Sequence, residues 1–215
     1  HSFDTLSVAG SIANYGGNVT LKAAAKNTGN PSPDTRIEML SGARIDISGL
    51  WVNDVKTPGV TSGITPINID AGNVALSANG SVLLENDTAI IADGGAHLDS
   101  NGKITGGAGG DISLAAGNFD NNPHAVLKID PDAQLSSLAL SDGGTLSLTA
   151  RGFQIGASAL DRETVRADSG RLLLDFDRFK EGGFKNYLLS AKQTGVEISS
   201  SEGLPSTLLL ETENY

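Results

Sequence analysis

From residue 72 to residue 114, apolar residues alternate with small or polar ones in short pieces, broken about every seven residues. The pieces are 74–78, 82–84, 89–92, 96–98, 103–105 and 112–114, and the breaks hold Asn79-Gly80, Glu85-Asn86-Asp87, Asp93-Gly94 and Asn101-Gly102. Alternation with a period of two places side chains on opposite faces of an extended chain. Gly, Asn and Asp enter tight turns at low conformational cost. The pattern therefore predicts short strands joined by tight turns.

One phrase recurs: Gly17-Asn-Val-Thr-Leu-Lys-Ala23, Gly72-Asn-Val-Ala-Leu-Ser-Ala78, Gly110-Asp-Ile-Ser-Leu-Ala-Ala116 and Gly144-Thr-Leu-Ser-Leu-Thr-Ala150, at steps of 55, 38 and 34 residues. Its third, fifth and seventh places are apolar, and Gly170-Arg-Leu-Leu-Leu-Asp-Phe176 reads as a worn fifth copy. A second phrase alternates with it: Gly42-Ala-Arg-Ile-Asp-Ile-Ser-Gly49, Gly95-Ala-His-Leu-Asp-Ser-Asn-Gly102 and the weaker Asp132-Ala-Gln-Leu-Ser-Ser137, trailing the first by 25, 23 and 22 residues.

A β-sandwich uses the same turns, but it does not repeat one phrase at a near-constant offset. A solenoid does, because every coil presents the same inward face to the coil beneath. The fold expected is all-β, a three-sided parallel β-helix of about 18 residues per coil, two coils to each 34–38-residue unit, stacked ~4.8 Å apart. Regular coils are expected over 1–150, with loops inserted at about 26–36 and 50–66, and a less regular continuation over 151–215. The segment Leu50–Pro66 has 17 residues, the excess of the 55-residue step over the 38-residue one. Beyond 151, strands are expected near 172–176, 188–191, 196–198 and 208–210, with a turn or loop at Leu160–Ser169.

Composition narrows the function classes. In 215 residues there is no Cys, so neither a disulfide framework nor a thiolate metal site exists. The net charge of −10 offers no basic face for nucleic acid. No apolar run approaches the ~18 residues of a membrane-spanning helix. His1-Ser2-Phe3-Asp4 has neither the basic start nor the apolar core of a signal peptide. Aromatics are 5%, which suits a narrow coil interior.

Candidate chemistry is sparse. His1, His97 and His124 lack metal-ligand spacing, and His97 is expected on the solvent side of a strand between inward Ala96 and Leu98. Gly106-Gly-Ala-Gly-Gly-Asp111 is one copy of a calcium-type turn that works only in tandem, and no helix follows it as a phosphate loop needs. Asp46 and Asp99 hold one place in successive copies of the second phrase and are expected to stack as hydrated surface carboxylates. No metal, cofactor or catalytic residue is expected. The binding candidates are Trp51, Asn53 and Asp54 on the insertion at 50–66, and the basic-aromatic cluster Arg178, Phe179, Phe184 and Lys185. A β-helix carbohydrate-active enzyme, either a lyase or a hydrolase, is the alternative class. It needs an acid–base pair in a groove.

The Gly-x-Val-x-Leu-x-Ala copies, Ala43-Arg-Ile-Asp-Ile-Ser-Gly49 and Gly102-Lys-Ile-Thr-Gly-Gly-Ala-Gly-Gly-Asp-Ile-Ser-Leu114 together resemble the filamentous-haemagglutinin family of large bacterial exoproteins. Gly49-Leu-Trp-Val-Asn-Asp54 is similar to the start of an insert in one branch of that family. Phe179-Lys-Glu-Gly-Gly-Phe-Lys-Asn-Tyr-Leu-Leu-Ser190 is similar to an element such shafts carry between coil blocks. The resemblance covers roughly residues 10–200. It implies a right-handed parallel β-helix shaft, an internal segment of an adhesin exported by two-partner secretion. The outer-membrane partner would engage a region outside this chain. It also implies an extracellular or cell-surface location and attachment to a host-cell or matrix ligand.

Overall fold

The computed structural model describes residues 5–24, 35–55, 68–117, 119–120, 122–156 and 170–198. These residues are all-β. Sheet 1 contains β1 (Thr5–Val8), β4 (Arg36–Met39), β8 (Ser81–Leu84) and β13 (Leu127–Ile129), all parallel. Sheet 2 contains β2 (Ser11–Ala13), β5 (Arg44–Asp46), β9 (Ala89–Ile91) and β14 (Gln134–Ser136), again all parallel. Sheet 3 runs from β3 (Val19–Ala23) through β7 (Val74–Ala78) and β12 (Ile112–Ala115) to β15 (Thr145–Ile155). Both β16 (Leu172–Leu174) and β17 (Asn186–Ile198) pair in parallel with β15. A small sheet 4 holds β6 (Trp51–Asn53), β10 (Ala96–Leu98) and β11 (Ile104–Gly106). The chain thus visits sheets 1, 2 and 3 in that order on each of four passes.

The repeated phrase is the ladder register of sheet 3. Val19 pairs with Val74 and Leu21 with Leu76; Ile112 lies between Val74 and Leu146, and Leu114 between Leu76 and Leu148. Leu76, Leu114 and Leu148 are no more than 1% exposed. The same holds inside sheets 1 and 2, where Ile37, Met39, Val82, Leu84, Ile45 and Ile90 are completely buried. One core cluster runs through all four passes. Burial of each such side chain is worth about 1.5–3 kcal/mol.

Axial contact also explains the first two places of the phrase. A Cβ on Gly110 would fall 1.6 Å from the Gly72 carbonyl oxygen, and one on Gly144 would fall 2.1 Å from that of Gly110. The Asn18 side chain accepts the Asn73 backbone N–H at 2.8 Å, and the Asn73 side chain accepts that of Asp111 at 2.8 Å. Asp111 in turn accepts the N–H of Thr145 at 2.7 Å.

Several expectations are corrected. A pass spans one whole unit, not half of one, because consecutive copies of the phrase are direct neighbours in sheet 3. Of the extra short strands between β9 and β12, β10 leaves the pass to pair with β6, and β11 pairs with β10. The second phrase is not one structural position. Both Arg44 and Gln134 face Ala89, so 89–91 occupies that place and 95–102 does not. Asp46 therefore lies opposite Ile91, not Asp99. Arg44 and Ser48 bind its carboxylate, and although burial pushes the other way these hydrogen bonds hold it below the usual carboxylate range. The fifth member of the sheet 3 column is Asn186–Ala191 of β17, where Tyr187 meets Leu146 and Leu189 meets Leu148; Gly170–Phe176 is not that member. Arg36 already belongs to β4, and Trp51–Asn53 is a strand inside the expected insertion. One pairing, β10 with β11, is antiparallel. The expectations at 26–34, 56–67, 157–169 and 199–215 lie outside the described residues.

Candidate functional site

Sheet 4 stands apart from the three sheets that share the core. Its hairpin turn is built by Asp99, whose Oδ1 accepts the backbone N–H groups of Asn101 at 2.8 Å and Lys103 at 2.9 Å. These two bonds, Lys103 first, hold the exposed Asp99 carboxyl below the usual carboxylate range. Gly102 closes the turn at φ 84°, a left-handed conformation natural to glycine. The parallel pairing then places Trp51 beside Ala96 and Asn53 beside Leu98, while the antiparallel pairing places Gly106 beside Ala96 and Ile104 beside Leu98.

Side chains directly opposite share a face, so Trp51, Asn53, Ala96, Leu98 and Ile104 lie together. Gly106 has no side chain there, and Leu140 takes the space: a Cβ on Gly106 would sit 2.5 Å from the Leu140 Cβ. Trp51 is 72% exposed, Ile104 63% and Leu140 53%. The result is an open apolar face with one tryptophan. On the reverse face lie Val52, His97 and Thr105. There His97 Nε2 meets Asp54 Oδ2 at 2.9 Å, half-buried, and ties the end of β6 to β10. His97 thus lies on the outward side of its strand, as expected, but half-buried against Asp54 and not fully solvated. Asn53 Oδ1 accepts the Val55 N–H at 3.0 Å and fixes the exit of β6.

The second candidate cluster is placed differently. Gly182 and Gly183, at φ 80° and 69°, reverse the chain and turn Phe184 inward. Phe179, closing a 3-10 turn (Phe176–Phe179), is 4% exposed and Phe184 2%. Tyr187 stands edge-on to both rings, at 5.0 and 5.9 Å, and donates its hydroxyl to the Phe179 carbonyl at 2.9 Å. Arg178 donates to the carbonyls of Ala133 at 2.7 Å and Pro131 at 3.0 Å. Lys185 meets Asp142 at 2.8 Å on the surface. Both rings point into the core, so this cluster seals the last pass and presents no aromatic surface.

Of the sequence candidates, the structure brings Trp51 and Asn53 onto one open face and turns Asp54 to its back. Leu98, Ile104 and Leu140 complete the face and were missed: the pieces 96–98 and 103–105 were assigned to the coil, and Leu140 arrives only through its approach to Gly106. The overlooked signal was a constant spacing. Arg44, Ala89 and Gln134 are 45 residues apart in turn, whereas the phrase copies are not evenly spaced. Among the described residues no group of three His, Asp or Glu side chains is placed to hold a metal ion. No helix of the described residues is long and apolar enough to cross a membrane. No protein-family model, curated protein or solved structure matches the chain.

Proposed function

We propose that this chain is a length of right-handed, three-sided parallel β-helix from an exported filamentous-haemagglutinin-like adhesin, and that sheet 4 is its contact face. Parallel strands joined by crossovers are right-handed in nearly all proteins, and the order of sheets 1, 2 and 3 on each pass suits such a coil. The shaft does its work mechanically. Each pass hydrogen-bonds to the next, so stiffness and stability accumulate along the axis. The resemblance to the exoprotein family adds export through an outer-membrane partner and display at the cell surface.

The observation that supports the contact role is the exposed face of Trp51, Leu98, Ile104 and Leu140, built on strands that are not needed to close the passes. Exposed tryptophan on a rigid strand is a recurrent binding anchor, since it offers large area at little entropic cost. Such contact involves no catalytic step and calls for no cofactor. Binding to arrays of glycans and matrix proteins, compared between wild type, Trp51→Ala and Ile104→Ser, tests it. Wild-type signals lost in both variants support an adhesive face. Profiles that are blank, or identical in all three, make the segment a spacer.

A further inference from the structure

We infer that strand β16 has two berths: its place beside β15, and a second place beside β13 as the fifth strand of sheet 1. A spacing of 45 residues points to the second. In sheet 1, Ile37 pairs with Val82 and Val82 with Leu127; in sheet 2, Ile45 pairs with Ile90 and Ile90 with Leu135. Every one of these steps is 45 residues. The same step continues past the fourth pass. Arg178 donates to the carbonyl of Ala133 across 45 residues, and Ser137 donates its N–H to the carbonyl of Gly182 at 2.6 Å, again 45 residues on.

Applied to β13, the step leads from Leu127 and Ile129 to Leu172 and Leu174, the two ends of β16. The match extends to burial, because both strands read buried, half-buried, buried. Yet β16 pairs with Phe153–Ile155 of β15. Among the described residues no strand pairs with the outer edge of β13.

That edge has a demand of its own. Val126 O and Asp130 N bond to β8, so the even-numbered groups face inward along the sheet. Backbone groups alternate between the two edges of a strand, and those of Leu127 and Ile129 therefore point outward. They point toward a cleft of about 490 Å³, walled by residues 126–129 on one side and 170–174 on the other, with Arg178 at its end. Three residue pairs hold β16 where it lies, and three would hold it against β13.

The two berths differ in what they leave at the end of the sheets. With β16 on β13, the last pass follows all three sheets: β16 on sheet 1, the 178–182 turn against the end of sheet 2, and β17 on sheet 3. With β16 on β15 the edge is interrupted, which guards an unpaired sheet against edge-to-edge association.

The chain has no cysteine, so engineered pairs are unambiguous. Leu173→Cys is combined with Gln154→Cys, its partner in the observed pairing, or with Lys128→Cys, its partner 45 residues earlier. Both pairs are expected to form a disulfide under mild oxidation, the second more slowly. Bridging by the Gln154→Cys pair alone overturns the inference, and so does the absence of any bridge. Hydrogen exchange on the unmodified protein is the independent measurement. The amides of Leu127 and Ile129 are expected to exchange more slowly than those of an uncovered edge, by up to about twofold. Exchange at the rate of an open edge counts against the second berth.

Discussion

Asp111 donates its backbone N–H to the side-chain Oδ1 of Asn73 at 2.8 Å, across 38 residues of sequence. The same relation links Asn18 with Asn73 and Asp111 with Thr145. The second place of the phrase is thus an axial tie between passes. Asn73→Ala is expected to cost about 0.5–1.5 kcal/mol, the net worth of one such bond, while Asn73→Asp keeps the acceptor and most of the stability. Urea unfolding of the two variants checks this, and equal losses would contradict it.

Glycine is required at the first place for a different reason. A Cβ on Gly110 would press on the Gly72 carbonyl, whereas one on Gly10 meets nothing within 4 Å. Gly110→Ala should destabilise by about 1–3 kcal/mol, as overpacked substitutions do. Gly10→Ala should be close to neutral, and thermal melts of the pair compare them directly.

Substitutions in the inward column should cost the most. Leu114 is completely buried between Leu76 and Leu148, and Leu188 on β17 is 61% exposed. Leu114→Ala is expected to lose about 2–5 kcal/mol. Leu188→Ala should stay within about 0.5 kcal/mol. Equilibrium denaturation separates the two, and similar values would remove Leu114 from the core.

Tyr187 gives a pH signature. Burial pushes its phenol up to about 12 from an ordinary value near 10. The unfolded chain then loses its proton first, so the stabilising difference is intact below about pH 10 and disappears as pH rises through about 12. Stability measured across this window should fall more steeply in wild type than in Tyr187→Phe. Equal slopes would contradict a buried phenol.

Trp51 is the chain's one tryptophan and is 72% exposed on sheet 4. Its fluorescence should match that of free tryptophan and be readily quenched by acrylamide. Trp51→Ala should leave the melting temperature unchanged. A blue-shifted, protected emission would place the indole against the core and remove it from the open face.

Much of the fold was legible because the period-two pattern is written on the inward residues. All six short pieces read between 74 and 114 fall on strands β7 to β12, within a residue or two at each end. The first phrase names the residues that align in sheet 3, but two coils to a unit put a coil between consecutive copies that in fact pair directly. What misled was similarity of wording in the second phrase. Ala96-His-Leu98 resembles Ala43-Arg-Ile45, but it folds out of the pass because β6 and β11 offer it both edges. Leu140 joins the open face only through its approach to Gly106, a contact no local pattern encodes. The Phe179 and Phe184 cluster reads from sequence either as cover for an open coil end or an irregular junction or, from its lysines and arginine, as a ligand contact. The left-handed Gly182-Gly183 turn sends both rings inward, and Tyr187 locks them there.

A crystal structure tests the central claim most directly, through the positions of Leu21, Leu76, Leu114 and Leu148. The account predicts one column along a parallel sheet, neighbours about 4.8 Å apart, with Val19, Val74, Ile112 and Leu146 in a second column beside it. Antiparallel pairing of the strands that carry the phrase, or leucines scattered over separate sheets, would contradict it.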